Sequence, residues 1–70
     1  MNRKPVSSSN IRSIGYDSKS RTLEIEFHSG DIYQYLNVLE SIYNALMSAS
    51  SQGSYFSRYI KDQYQWTKIQ

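Results

Sequence analysis

The side chains able to do acid–base or nucleophilic chemistry are few in this chain, and most lie in one short stretch. His28, Ser29 and Asp31 fall within four positions, and His28 is the single histidine. An imidazole, a hydroxyl and a carboxylate are the parts of a hydrolytic triad. Triads are defined by mutual geometry, and neighbours in one turn seldom orient one another that way. A polar turn with a solvated imidazole is the simpler reading. Glu24 and Glu26 form a second candidate, because alternate residues of a strand share a face. Paired catalytic acids need a cleft that separates their pKa values, and an open strand face supplies none. Solubility and cross-strand pairing with Arg12 or Arg21 account for both glutamates. Cysteine is absent, which removes thiol nucleophiles and disulfides, and one histidine cannot build a structural zinc site. Three scattered glycines make no phosphate loop. The sequence reads as a non-enzyme, with no metal and no cofactor.

Binding chemistry is better represented. Seven of the 70 residues are tyrosine, joined by two phenylalanines and one tryptophan. Tyr33-Gln34-Tyr35 places two rings on one face of a strand, with Ile32 and Leu36 on the other. Facing outward, those rings would form a platform on which bases stack. Facing inward, they are core. Glu24 and Glu26 on the neighbouring strand would repel phosphates from the open face, which favours core packing, but the pattern leaves the face undecided. The basic candidates are Arg58 and Lys61, three apart on one helix, with Tyr55 nearby and Arg3 and Lys4 in the N-terminal segment. The plain alternative pairs Arg58 with Asp62 and leaves the rest as a solvated face.

The elements that must position these residues are legible from periodicity. Residues 1–10 are polar and aperiodic, and read as a mobile arm. Residues 11–16 form a strand, with Gly15 a bulge or a point of close approach. After Asp17-Ser18-Lys19-Ser20, residues 21–27 alternate Leu23, Ile25 and Phe27 with Thr22, Glu24 and Glu26. A turn at residues 28–31, eased by Gly30, leads into a third strand at 31–36. Short connections make the three strands an antiparallel meander. Asn37 and Glu40 have the spacing of a capping box, and Leu39, Ile42, Tyr43, Leu46 and Met47 then follow at helical spacing. Gly53 ends that helix or hinges into the next. A second helix, from about 54 to 63, carries Phe56, Tyr59 and Ile60 along one side, with Tyr64 a further candidate for it. The tail at 65–69 either adds a short strand or simply packs Trp66. The fold class is α+β: a three-stranded antiparallel meander followed by two helices packed on one face of the sheet. Residues 11–70 are one domain.

Size and charge bound the rest. A chain this short buries a modest core. A net charge of +2 leans basic without being an electrostatic footprint for nucleic acid. The N-terminus runs into Ser7-Ser8-Ser9-Asn10 where the apolar part of a signal peptide would begin, and nothing approaches a transmembrane span. A soluble, cytoplasmic protein without membrane contact is expected.

With these residues laid out, the sequence resembles the KTSC family. This short domain is named for its place at the C-terminus of some lysyl-tRNA synthetases, and it also stands alone in small bacterial and phage proteins. The resemblance runs from about Val6 to Tyr64. It rests on Val6-Ser7-Ser8-Ser9-Asn10-Ile11, Ile14-Gly15-Tyr16-Asp17, Thr22-Leu23-Glu24-Ile25-Glu26-Phe27, Gly30, Tyr33-Gln34-Tyr35, Val38, Tyr43-Asn44-Ala45-Leu46-Met47 and Ser51-Gln52-Gly53-Ser54-Tyr55-Phe56. Leu39 stands where the family pattern usually has proline, and Ser57 where asparagine often follows Tyr-Phe. The first difference is expected to loosen the start of the first helix. The second removes an amide. The family has no established function and no known catalytic residues. Attachment to a synthetase implies RNA binding, an argument by association. On that basis Tyr33, Tyr35, Tyr55, Arg58 and Lys61 are the candidate nucleic-acid contacts. The competing expectation is a protein-interaction or self-association domain that uses tyrosine-rich surface and an open strand edge.

Overall fold

The computed structural model describes all 70 residues, Met1–Gln70. Five strands and two helices follow one another as β1 (Arg3–Pro5), β2 (Ile11–Asp17), β3 (Thr22–Phe27), β4 (Ile32–Tyr35), α1 (Glu40–Ser48), α2 (Gln52–Tyr59) and β5 (Trp66–Lys68). Every pairing is antiparallel, and the strand order equals the chain order. The expected meander is therefore present as the middle of a wider sheet. β1 comes from the stretch read as an arm, and β5 from the tail.

Gly15 explains why β1 fits against β2. Arg3 is its register partner, and a β-carbon built on Gly15 would lie 2.8 Å from the Asn2 carbonyl oxygen. Only glycine lets the first strand settle that closely against β2. The close approach at Gly15 was readable; the identity of its neighbour was not. Further along β2 a bulge between Ile11 and Ser13 shifts the register against β3. The extra residue brings Ile11 and Ile14, three apart, onto the same face.

That face carries the core. Register places Ile14 opposite Ile25, Tyr16 opposite Leu23, Ile25 opposite Tyr33 and Leu23 opposite Tyr35. Ile11, Ile14, Leu23, Ile25, Val38, Leu46 and Ile60 are fully buried, and Tyr35 and Phe56 nearly so. The helix pair supplies Leu46 and Phe56 to this cluster and covers one face of the sheet, as the stripes at 3.6-residue spacing required. Tyr16 closes one end: its ring stacks on Tyr43 at 4.9 Å and 10°, and its hydroxyl donates to the Val38 carbonyl. Burial, followed by the Glu40 charge, raises the Tyr16 pKa.

The helix ends depart from expectation. Asn37 does not cap α1. It adopts a left-handed φ of +59° in the turn, and Leu39 occupies the cap position with no side-chain hydrogen bond. Gly53 neither stops nor hinges a helix; it lies in the first turn of α2, which Ser51 caps by accepting from the Ser54 N–H at 3.2 Å. With its start set by Ser51, α2 begins two residues earlier than the pattern suggested, and it ends at Tyr59.

Candidate binding cleft

At the β4–β5 end of the sheet the helix face stays partly open. There Phe27, Tyr33, Tyr35, Phe56 and Trp66 form one continuous set of rings. Tyr33 meets Phe27 edge-on at 5.8 Å, Tyr35 in parallel at 6.4 Å and Trp66 edge-on at 5.3 Å. Phe56 closes the set against Phe27 and Tyr35, at 5.4 Å in each case. These are the preferred arrangements of ring quadrupoles. Period-two alternation puts Tyr33 and Tyr35 together, and β5 adds Trp66 directly opposite Tyr35. The open question of the Tyr-x-Tyr face is thereby answered: both rings face the helices. Tyr35 is 4 % exposed, while Tyr33 is half-buried and still reachable.

A cavity of ≈ 530 Å³ lies over these rings. Its rim is polar. Ser9 and Asn10 precede β2, His28, Ser29 and Asp31 come from the β3–β4 turn, and Ser57, Lys61 and Asp62 come from α2 and the residues after it. The volume suits one flat aromatic group with a polar attachment. Burial first, then the neighbouring Tyr33 and the Asp62 charge, pushes the Tyr35 hydroxyl up to about 12, so it remains a protonated donor. A smaller groove without apolar lining adjoins the cavity through Ser9, Asn10, Gly53 and Ser57, and carries Arg58 with Ser51 and Ser54.

Of the five residues singled out from the sequence, Tyr33, Tyr35 and Lys61 come together in the cavity. Arg58 sits in the adjoining groove. It makes no ion pair with Asp62, so the pairing considered for it is not formed. Tyr55 is outside both; its ring packs on Tyr59 at 4.7 Å and against the core. Trp66, Phe27 and Asp62 were not anticipated as site residues. The weak alternation of the tail was the only sign that Trp66 would join the sheet.

The triad reading gains nothing from the geometry. The His28 imidazole donates through Nε2 to the Ser8 carbonyl at 2.8 Å, and Ser29 Oγ donates to Asp31 at 3.3 Å. Histidine and serine do not meet. Asp31 also pairs with Lys68 at 3.5 Å. Nowhere in the fold do three metal-ligating side chains gather.

The opposite face of the sheet is occupied by its own side chains. Arg3 forms an ion pair with Glu24, its Nε donates to Ser13 Oγ at 3.0 Å, and Ser13 Oγ donates to Glu26 at 2.8 Å. Gln34 Nε2 donates to the other oxygen of Glu24 at 2.8 Å. The expected partners of the glutamates, Arg12 and Arg21, are replaced by Arg3 because β1 lies across β2. Glu24, expected to be wet, is 5 % exposed. Burial alone would raise its pKa, but hydrogen bonds from Gln34 and Arg3 and the charge of Arg3 outweigh it and hold the carboxyl below the usual glutamate range.

A narrow antiparallel sheet with one helix pair and a partly uncovered aromatic end defines a small α+β domain with a ready-made cleft. The chain belongs to the KTSC domain family, whose pattern matches residues 7–64. The crystal structure of a KTSC domain protein from Yersinia pestis superposes with a TM-score of 0.96 at 48 % identity, covering 99 % of this chain and 97 % of that one. An uncharacterised protein of Stutzerimonas stutzeri is 41 % identical over 64 residues, covering 91 % of this chain and 90 % of its own length. A lysine–tRNA ligase of Nostoc punctiforme is 36 % identical over 59 residues, covering 84 % of this chain but 10 % of the ligase. No helix of the fold is long and apolar enough to cross a membrane.

Proposed function

We propose that this domain is a non-catalytic module for single-stranded RNA, holding one unpaired base over Tyr33 and Trp66 with flanking phosphates on Lys61 and Arg58. The observation that carries the reading is the cavity of ≈ 530 Å³ floored by aromatic rings and bordered by polar side chains. Every base has a π-face, and stacking on an accessible ring contributes about 1–3 kcal/mol. Single-stranded RNA offers its bases unstacked, whereas the grooves of a duplex hide them from a recess this small. The similarity to a stretch of lysine–tRNA ligases supports an RNA ligand by association. A net charge of +2 supports modest, salt-sensitive affinity.

The test is an amide-shift titration of the labelled chain with short single-stranded RNA at two salt concentrations. Shifts should localise to the Tyr33 strand, Trp66, Lys61 and the turn at His28. Two phosphate contacts should give a slope of log affinity on log salt of about −1.4, at roughly −0.7 per contact. A flat titration at low salt, or shifts confined to Glu24 and Gln34 on the other face, would overturn the proposal.

One observation favours a second reading, self-association. β5 ends the sheet with no strand beyond it, and Trp66 and Ile69 are about half exposed, at 54 % and 48 %. The β1 edge is protected by Pro5, which lacks an N–H; the β5 edge has no such guard. Sedimentation equilibrium that stays monomeric into the millimolar range rules this reading out.

A further inference from the structure

Asp62 is the one acidic side chain on the cavity wall that nothing engages. Asp31, the other carboxylate there, is held by Lys68 at 3.5 Å and by the Ser29 hydroxyl at 3.3 Å. Asp62 makes neither an ion pair nor a side-chain hydrogen bond, although it is exposed and Arg58 lies four residues before it. It lines the same cavity as Tyr33, Tyr35 and Trp66. A free carboxylate is a poor neighbour for phosphate, so it argues against a cavity that accepts the RNA backbone. It is an acceptor only, and its two oxygens match a pair of adjacent N–H donors.

The four bases differ in what they offer such a group. Guanine presents two adjacent donors on its pairing edge, N1–H and the N2 amino group. Adenine and cytosine present one amino donor beside a ring-nitrogen acceptor. Uracil presents one N–H flanked by two carbonyl oxygens, which a carboxylate repels. Resting on the RNA reading above, we infer that the cavity is a guanine-preferring subsite, with the base stacked on Trp66 and bordered by Tyr33, and Asp62 accepting from N1–H and N2–H. Lys61, the next residue back and also on the wall, is left for a phosphate on the open side. Charge complementarity selects the base, and the rings supply most of the affinity.

Trp66 is the only tryptophan, so its emission reports occupancy of this cavity directly. The experiment titrates the full chain with four hexanucleotides, oligouridine and its variants with guanine, adenine or cytosine at one central position. Guanine should bind about tenfold tighter than uracil, with adenine and cytosine between, as one bidentate contact allows. Asp62→Asn should reduce the guanine preference to about twofold or less while leaving the melting midpoint unchanged, since Asp62 is exposed and makes no contact the fold depends on. Equal affinity for all four oligomers, or an unaltered guanine preference in Asp62→Asn, overturns the subsite and leaves the RNA reading standing. Absence of quenching by every oligomer at low salt removes both.

Discussion

The two faces of the sheet are built from the same strands and end in opposite conditions. On the open face, polar side chains satisfy one another: Arg3, Ser13, Glu24, Glu26 and Gln34 form a closed network. Its two carboxylates outnumber its one guanidinium, so this face repels phosphate. On the helix face, apolar residues fill the centre, but Tyr33 and Trp66 at the β4–β5 end stay accessible. The face that looks suited to binding in a strand diagram is chemically saturated. The covered face holds the cleft.

The comparison can be broken most severely from the core. Leu46→Ala removes a fully buried side chain that α1 contributes to the core, and should cost about 2–5 kcal/mol in denaturant unfolding. Cleft binding should fall with it, because the rings depend on the same packing.

Glu24→Ala tests the other face. It strands Arg3 and Gln34 without their shared acceptor, and should cost about 2 kcal/mol by the same measurement while leaving RNA affinity unchanged. Loss of affinity in this variant would contradict the separation of the two faces. Acid should have a related effect. The folded-state pKa of Glu24 is lowered, so its contribution is fully present above the ordinary value of 4.5 and is lost as pH falls through the folded pKa. Asp17, lowered chiefly by the Ser20 hydroxyl, acts in the same direction. Thermal melts from pH 7 to pH 3 should therefore fall below about pH 4.5, and Glu24→Gln should flatten that fall in part.

Trp66→Ala sharpens the contrast at the cleft. It should weaken RNA binding by roughly tenfold, the loss of one stacking partner, and change stability by less than about 1 kcal/mol because the ring is half exposed. Smallest is the effect of Lys61→Ala, which should reduce the salt slope by about 0.7 with little change in stability.

Part of the cleft is legible in the sequence. Tyr33 and Tyr35 share a face by strand alternation alone, whereas Lys61, expected on one helix with Arg58, lies in the turn after α2 ends at Tyr59. The misplacements have separate causes. Nearness in sequence groups Tyr55 with Arg58, yet its ring turns to Tyr59 and the core. Trp66 entered the site through β5, a three-residue strand that β4 recruits by register.

The amino-acid sequence by itself determined the α+β class, the central strands, the helix pair and the absence of thiol chemistry, because period and composition are local properties. It also marked Gly15 as a place where something must come close. Only the tertiary structure decided that the something is β1, that Arg3 rather than Arg12 or Arg21 neutralises Glu24, and that Trp66 completes an aromatic floor. Those outcomes depend on which segments become neighbours across the sheet. Pairing between strands distant in sequence is fixed by the whole core at once, and no short window of sequence contains it.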